Sequence, residues 1–218
     1  MMKILFTKKL DETEVSAILG NSIEWEFLEV IKINPKKINP FSLETKNLVF
    51  TSENAVKCFF ENRFVAHHNT TYCVGEKTAQ ALMKQGVKVE HTEKNAKALA
   101  RYLVENKIDN VLHFCGNLAL PTLQEELEKE GLSYKKIEVY ETELHYPKIA
   151  KTYDVIAFFS PSGVRSFAKH NTLQGSTIFS IGETTTKEIE NFTKQKIFTS
   201  EANSLQHLLE IIKQEIDC

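Results

Sequence analysis

Two sets of small polar residues, about 108 residues apart, are the part of this chain best suited to chemistry. The first holds Thr51, Ser52 and Asn54, then Gly75 and Thr78. The second holds Ser160, Ser162 and Gly163, then Gly182, Thr184 and Thr185. Each group falls where an apolar run gives way to a helical pattern. Ser, Thr and Asn at such places accept hydrogen bonds from the first helical N–H groups, and each cap stabilises by about 1 kcal/mol. Several helix starts on one edge do more, because unpaired amides and the helix dipole favour an anion. The chemistry on offer is the holding of acidic groups by backbone N–H groups.

Other familiar sites are missing. No GxGxxG follows a strand, so a dinucleotide site is not expected, and GEKT (75–78) lacks the earlier glycine of a phosphate loop. His67, His68, His91, His113, His145, His170 and His207 form no HExxH and no His/Cys group of ligand spacing. No metal site is expected from them. Ser160 and Ser162 lie in SPSG rather than GxSxG, so a hydrolase elbow is not supported. Tyr140 is different in kind. A phenol can donate a proton, or it can be an amphipathic strand residue.

The elements that carry these residues repeat. VFTSENAV (49–56) returns as AFFSPSGV (157–164), and CVGEKTAQAL (73–82) as SIGETTTKEI (180–189). KILFTKKL (3–10) lines up with VLHFCGNL (111–118), and WEFLEVIKI (25–33) with YKKIEVYET (134–142). A period of this length is the size of a small domain, so the chain reads as two copies of one α/β unit. Tyr140 falls opposite Ile31, and there the copies differ in chemistry. The first copy predicts strands at 3–7, 23–33, 47–52, 70–75 and 87–92. Its helices are predicted at 12–20, from about 54, at 77–86 and at 95–106. The second copy keeps the order and ends on an amphipathic helix over 204–216.

Strands alternating with helices predict parallel sheets covered on both faces. Parallel neighbours need a crossover, normally a helix. Residues 33–47 and 142–154 show no helical period and carry Pro35, Pro40 and Pro147. The chain is therefore expected to leave one sheet after residue 33 and to return near 154. Domain one would be 1–33 plus 154–218, and domain two 45–138, with 34–44 and 139–153 as connectors. Two tandem domains split near 108 are the alternative.

Composition narrows the class. Of 218 residues, 42% are hydrophobic and 26% charged, as in ordinary globular proteins. The net charge is −2 and the arginines are Arg63, Arg101 and Arg165, so a nucleic-acid partner is not expected. Apolar runs fall short of a membrane span. Ile4–Phe6 is too short for a signal-peptide core. Cys58, Cys73, Cys115 and Cys218 lack CxxC spacing and read as reduced thiols of a cytoplasmic protein. No heptad or edge patch is visible, so a monomer is expected.

In order and spacing, VFTSENAV, YCVGEKTA, HFCGNL followed by VYET, FFSPSGV and SIGETTT resemble the uroporphyrinogen-III synthase family over nearly the whole chain. The resemblance implies two similar α/β domains with parallel sheets flanked by helices, joined by a two-stranded β-ladder hinge, with domain one discontinuous. It implies a lyase that closes hydroxymethylbilane, a linear tetrapyrrole, to uroporphyrinogen III in haem biosynthesis, with no cofactor and no metal. Tyr140 matches the family tyrosine of the hinge strand and would be catalytic. Ser52, Asn54, Thr78, Ser160, Ser162, Gly163, Thr184 and Thr185 would bind substrate carboxylates, with Lys8 and Asn117 as further candidates at strand ends. Where many members carry Thr-Arg, this chain has Thr7-Lys8, and Lys cannot make the two-pronged contacts of Arg. A non-catalytic small-ligand sensor is the competing class.

Overall fold

The computed structural model describes residues 2–20 and 22–216. In chain order the elements are β1 (Lys3–Phe6), α1 (Glu12–Leu19), β2 (Glu24–Phe27), β3 (Ile31–Pro35), β4 (Asn47–Phe50) and α2 (Glu53–Glu61). Then come β5 (Thr71–Val74), α3 (Glu76–Lys84), β6 (Val89–Glu93), α4 (Ala96–Glu105), β7 (Val111–Gly116), α5 (Thr122–Lys129) and β8 (Tyr134–Leu144). The last are β9 (Val155–Phe158), α6 (Pro161–Ala168), β10 (Thr177–Ser180), α7 (Glu183–Ile189), β11 (Ile197–Thr199) and α8 (Leu205–Ile216). No helix among the described residues is long and apolar enough to cross a membrane.

The chain divides into two compact units. One is Met1–Lys32 with Glu143–Cys218, the other Ile33–Thr142. Of the segments read from sequence as connectors, 34–44 falls inside the second unit, and 139–153 divides between the two units after Thr142. The first unit holds a sheet of order β11-β10-β9-β1-β2, with parallel pairs throughout. Beginning and end of the chain share this sheet, so a tandem split near 108 does not occur. The six-stranded sheet of the second unit runs β3-β8-β7-β4-β5-β6. By the repeat, β7 and β8 answer to β1 and β2, and β4, β5 and β6 to β9, β10 and β11. Each sheet therefore takes strands from both copies.

Four-residue apolar strands suit this arrangement because both of their faces are buried. In the first unit Ile4, Phe6 and Ala157 pack with Val15, Leu208 and Ile212 of α1 and α8. Leu5, Ile156 and Phe158 point the other way, onto Val164, Phe167 and Ile189 of α6 and α7. In the second unit Leu48 and Phe50 pack with Val56, Phe59 and Leu82 of α2 and α3. Val49 meets Leu99, Leu103 and Leu127 of α4 and α5. The alternation of strand side chains thus sorts each core into two layers.

The long strand predicted over 23–33 is two strands, β2 and β3. Between them Val30 turns into the core of the first unit, 1% exposed, and its carbonyl accepts from Ser166 Oγ at 2.5 Å. A continuous strand could not place Val30 there.

Each unit also fastens its own helix-free segment in the same way. Asn62 Nδ2 donates to Cys58 O at 2.8 Å and Lys36 O at 2.9 Å, and its Oδ1 accepts from Ile38 N–H at 2.7 Å. Asn171 Nδ2 donates to Phe167 O and Pro147 O, both at 2.7 Å, and its Oδ1 accepts from Ile149 N–H at 3.0 Å. In each case one side-chain amide ties two backbone groups of the helix-free segment to a carbonyl in the last turns of the preceding helix. Asn62→Ala and Asn171→Ala should each cost about 2 kcal/mol, read as a lowered urea midpoint at unchanged slope.

Candidate functional site

In an open parallel sheet the crevice lies outside the strand carboxyl ends, where the strand order reverses. In the second unit that place is between β4 and β7. Beyond β4 the chain runs through Thr51 to Ser52, which is extended at φ −156° and caps α2 by accepting from Ala55 N–H at 3.1 Å. β7 ends at Gly116. Beside it β8 is paired in parallel, but the register shifts: Cys115 faces Glu138, and Gly116 faces Tyr140. Such a bulge re-aims a side chain. Tyr140 is turned toward β4, and its Oη lies 3.1 Å from Ser52 Oγ.

The ring of Tyr140 packs on the core of α2 and α3, half-buried. Burial pushes the phenol pKa up, the bond to Ser52 pulls it down, and Cys115 and Cys58 push it up further. The net direction is upward, so the hydroxyl keeps its proton at neutral pH. Ser52 Oγ already accepts from Ala55. If its own proton goes to Tyr140 Oη, the phenol proton is left to donate outward. The positive end of α2 polarises that sequence of bonds.

Below this rim lies a second polar chain. His113 is 2% exposed. Its Nε2 is 2.9 Å from Thr51 Oγ1 and its Nδ1 2.7 Å from Tyr134 Oη. Burial, with Lys136 adding to it, holds the imidazole pKa down at about 3. A neutral imidazole has one N–H and one lone pair, so it donates to one hydroxyl and accepts from the other. Thr51 is thereby fixed next to Ser52.

The remaining sequence candidates fall at strand ends of their own unit. In the second unit Asn117 follows β7. Its N–H donates to Tyr140 O at 3.2 Å and its Oδ1 accepts from Thr142 N–H at 2.8 Å, so it orders the backbone around Tyr140. Asn54 is exposed on the first turn of α2, and Thr78 is buried in the first turn of α3. In the first unit Ser160 caps α6 by accepting from Gly163 N–H at 3.1 Å, and Ser162 Oγ lies 3.1 Å from Ser160 Oγ. Gly163 is buried; a Cβ there would sit 3.2 Å from Ser160 Oγ and 3.3 Å from Val30 Cγ2. Thr184 is exposed and Thr185 buried at the start of α7. Lys8 is exposed beyond β1. Helices α3 and α7 begin on Gly75 and Gly182, which offer no capping side chain, whereas α2 and α6 begin on serines that do. Each unit thus pairs a serine-capped start with a glycine-led one.

Three observations complete the picture. A groove of about 700 Å³ between α2 and α3 is lined by Glu53, Lys57, Phe60, Lys77 and Lys84 but not by Tyr140. It is an open helix–helix furrow, so the chemistry is better sought at the strand ends. Cys58, Cys73 and Cys115 are free and buried, while Cys218 lies outside the described residues. Among the described residues no group of three or more His, Cys, Asp or Glu could hold a metal ion.

A family model described as uroporphyrinogen-III synthase HemD matches residues 6–210. The chain belongs to the uroporphyrinogen-III synthase family. That family consists of lyase-type enzymes of tetrapyrrole and haem biosynthesis. Solved structures agree on the fold. The uroporphyrinogen-III synthetase of Helicobacter pylori is 18% identical with a TM-score of 0.71, over 99% of this chain and 100% of that one. A mutant uroporphyrinogen III synthase of Thermus thermophilus is 11% identical, also with a TM-score of 0.71, over 100% and 99%. A search of curated protein sequences returns no match.

Two residues next to Thr51, Ser52 and Tyr140, His113 and Gly116, are not singled out for this site by the sequence. His113 was noted only as lacking metal-ligand neighbours. Gly116 was passed over, although the internal alignment sets it opposite Lys8.

Proposed function

We propose that this protein closes hydroxymethylbilane to uroporphyrinogen III, with loss of water and inversion of ring D, and that Tyr140 is its proton donor. The observation that carries the reading is the protonated, half-buried phenol at the strand-end crevice, bonded to a serine that caps a helix. The substrate loses its hydroxyl readily, and closes unaided to the wrong isomer. The protein must therefore fix geometry more than supply strong acid or base.

Tyr140 Oη–H donates to the departing hydroxyl, which leaves as water. Ring D then attacks through its substituted carbon, and a spiro intermediate rearranges to the inverted ring. The proton lent at the start returns as the ring regains aromaticity. The acetate and propionate groups are held by backbone N–H groups at the helix starts around Ser52, Asn54 and Thr78 in one unit. Ser160, Ser162, Gly163, Thr184 and Thr185 are the corresponding candidates at the helix starts of the first unit. Lys8 contributes a point charge at the end of β1, and Asn117 its side-chain amide. The Tyr140–Ser52 pair is complete within one chain, which supports action as a monomer. Buried free thiols suit a reducing compartment such as the cytoplasm.

The direct test is incubation with hydroxymethylbilane and chromatographic separation of the isomers. Type III in excess is expected. Type I alone, formed no faster than without protein, would leave the sensor reading in its place.

A further inference from the structure

The two copies of the repeat depart from each other twice at one spot. Tyr140 stands opposite Ile31, and Gly116 stands opposite Lys8. In the structure these are one departure. Gly116 and Tyr140 face each other across the β7–β8 pair. A Cβ built on Gly116 would lie 2.4 Å from Tyr140 Cε2, 2.5 Å from Cζ and 3.0 Å from the hydroxyl oxygen. The phenol therefore rests directly on the glycine backbone. Real Cβ atoms do not approach other atoms so closely, so any side chain at 116 must push the ring off its seat. The ring cannot yield easily, since its other side packs on the core of α2 and α3. The backbone on either side is fixed as well, by Asn117 N–H to Tyr140 O and by Thr142 N–H to Asn117 Oδ1.

We infer that Gly116 is a positioning residue of the reaction: its missing side chain is the seat that sets the Tyr140 hydroxyl at Ser52. The inference rests on the proton-donor role proposed for Tyr140. Gly116 touches no substrate and acts through the phenol alone. It is not needed for backbone conformation, because its φ lies outside the left-handed region where glycine is favoured. What it supplies is close approach. Tyrosine on the connecting strand could serve only once the facing strand had lost its side chain. In the first copy the matching positions hold Lys8, beyond β1, and Ile31, at the start of β3 in the other sheet, so they form no facing pair and the seat belongs to the second copy alone.

The test compares full-length wild type with Gly116→Ala, Tyr140→Ile and the double variant. Gly116→Ala should lower kcat about hundredfold through displacement of the donor, with KM changed less than about threefold. The share of type I product should rise with it. Rates and isomer ratios are compared at equal concentrations of folded protein, because loss of folded enzyme alone would lower the apparent kcat at constant KM and leave more substrate to close unaided to type I. The urea midpoint should fall on Gly116→Ala when Tyr140 is present, and change little when Tyr140→Ile accompanies it. Should Gly116→Ala not fold, recovery of folding in the double variant supports the seat, and failure of both overturns it. Wild-type kcat and isomer ratio in Gly116→Ala would overturn the inference, as would equal midpoint losses with and without Tyr140→Ile. If wild type itself yields no type III isomer, the proposed activity has failed, and the midpoints alone then decide whether Gly116 seats Tyr140.

Discussion

Tyr140→Phe is expected to lower kcat about hundredfold, with KM nearly unchanged and the balance of products moved toward type I. The size follows from what the substitution removes. The ring stays in its seat on Gly116 and against the core of α2 and α3, so packing is retained. Only the hydroxyl and its bond to Ser52 go, and Ser52 keeps its hold on Ala55 N–H. Folding stability should therefore change by no more than about 1 kcal/mol. The loss falls on the transition state, where the departing hydroxyl takes a proton. A hundredfold corresponds to about 2.7 kcal/mol of barrier. In wild type the phenol pKa is raised by burial, so its donor form persists across neutral pH and this group adds no fall in rate there. Turnover of Tyr140→Phe equal to wild type would remove the phenol from the mechanism.

Which parts of this were legible in sequence depends on how local the physics is. Short apolar runs such as KILF and VIAF announce strands buried on both faces, and the structure places them at the centre of the first unit's sheet. The pairing of β1 with β9 was inferable from an absence: residues 33–47 and 142–154 hold no helix that could serve as a crossover. Helix starts were legible too, because Ser52 and Ser160 cap through contacts three residues away. The break between β2 and β3 was not, since it depends on Val30 packing in one cluster with Ile156, Val164 and Phe167, each more than a hundred positions distant. The Asn62 and Asn171 fastenings were illegible for the same reason. An asparagine near a helix end reads as a cap, and nothing local says that its amide will reach Lys36 or Pro147.

The site shows the same division more sharply. Tyr140 stood out because its type differs from that of its repeat partner. The bulge that turns it toward Ser52 left no mark in composition or periodicity. Gly116 was visible in principle, as a second difference between copies. It acquires meaning only once register shows that the two differences face each other.

A fall in stability on mild acidification, traceable to His113, is the other large expected effect. Its pKa in the folded protein is held down at about 3 by burial, against an ordinary value of 6.5. The fold therefore binds the neutral ring in preference to the charged one. The sign follows: this contribution is fully present above about pH 6.5 and is lost as pH falls toward 3, at about 1.4 kcal/mol per unit. By pH 4.5 about 3 kcal/mol should be gone, a large share of the stability of a typical domain. Carboxylates bonded in the folded state, such as Asp109 and Glu138, have lowered pKa values and lose their contribution further down the scale. The window between pH 6.5 and 4.5 lies above most of that carboxylate titration, and the comparison with His113→Gln assigns the loss within it to this imidazole. His113→Gln keeps a donor and an acceptor for Thr51 and Tyr134 but cannot be protonated there. Urea midpoints of the two proteins at pH 7 and pH 4.5 make the comparison. Wild type should drop steeply, and the glutamine variant only slightly. A variant that loses as much as wild type would show that acid acts elsewhere, and that the neutral ring under Thr51 is not what the fold protects.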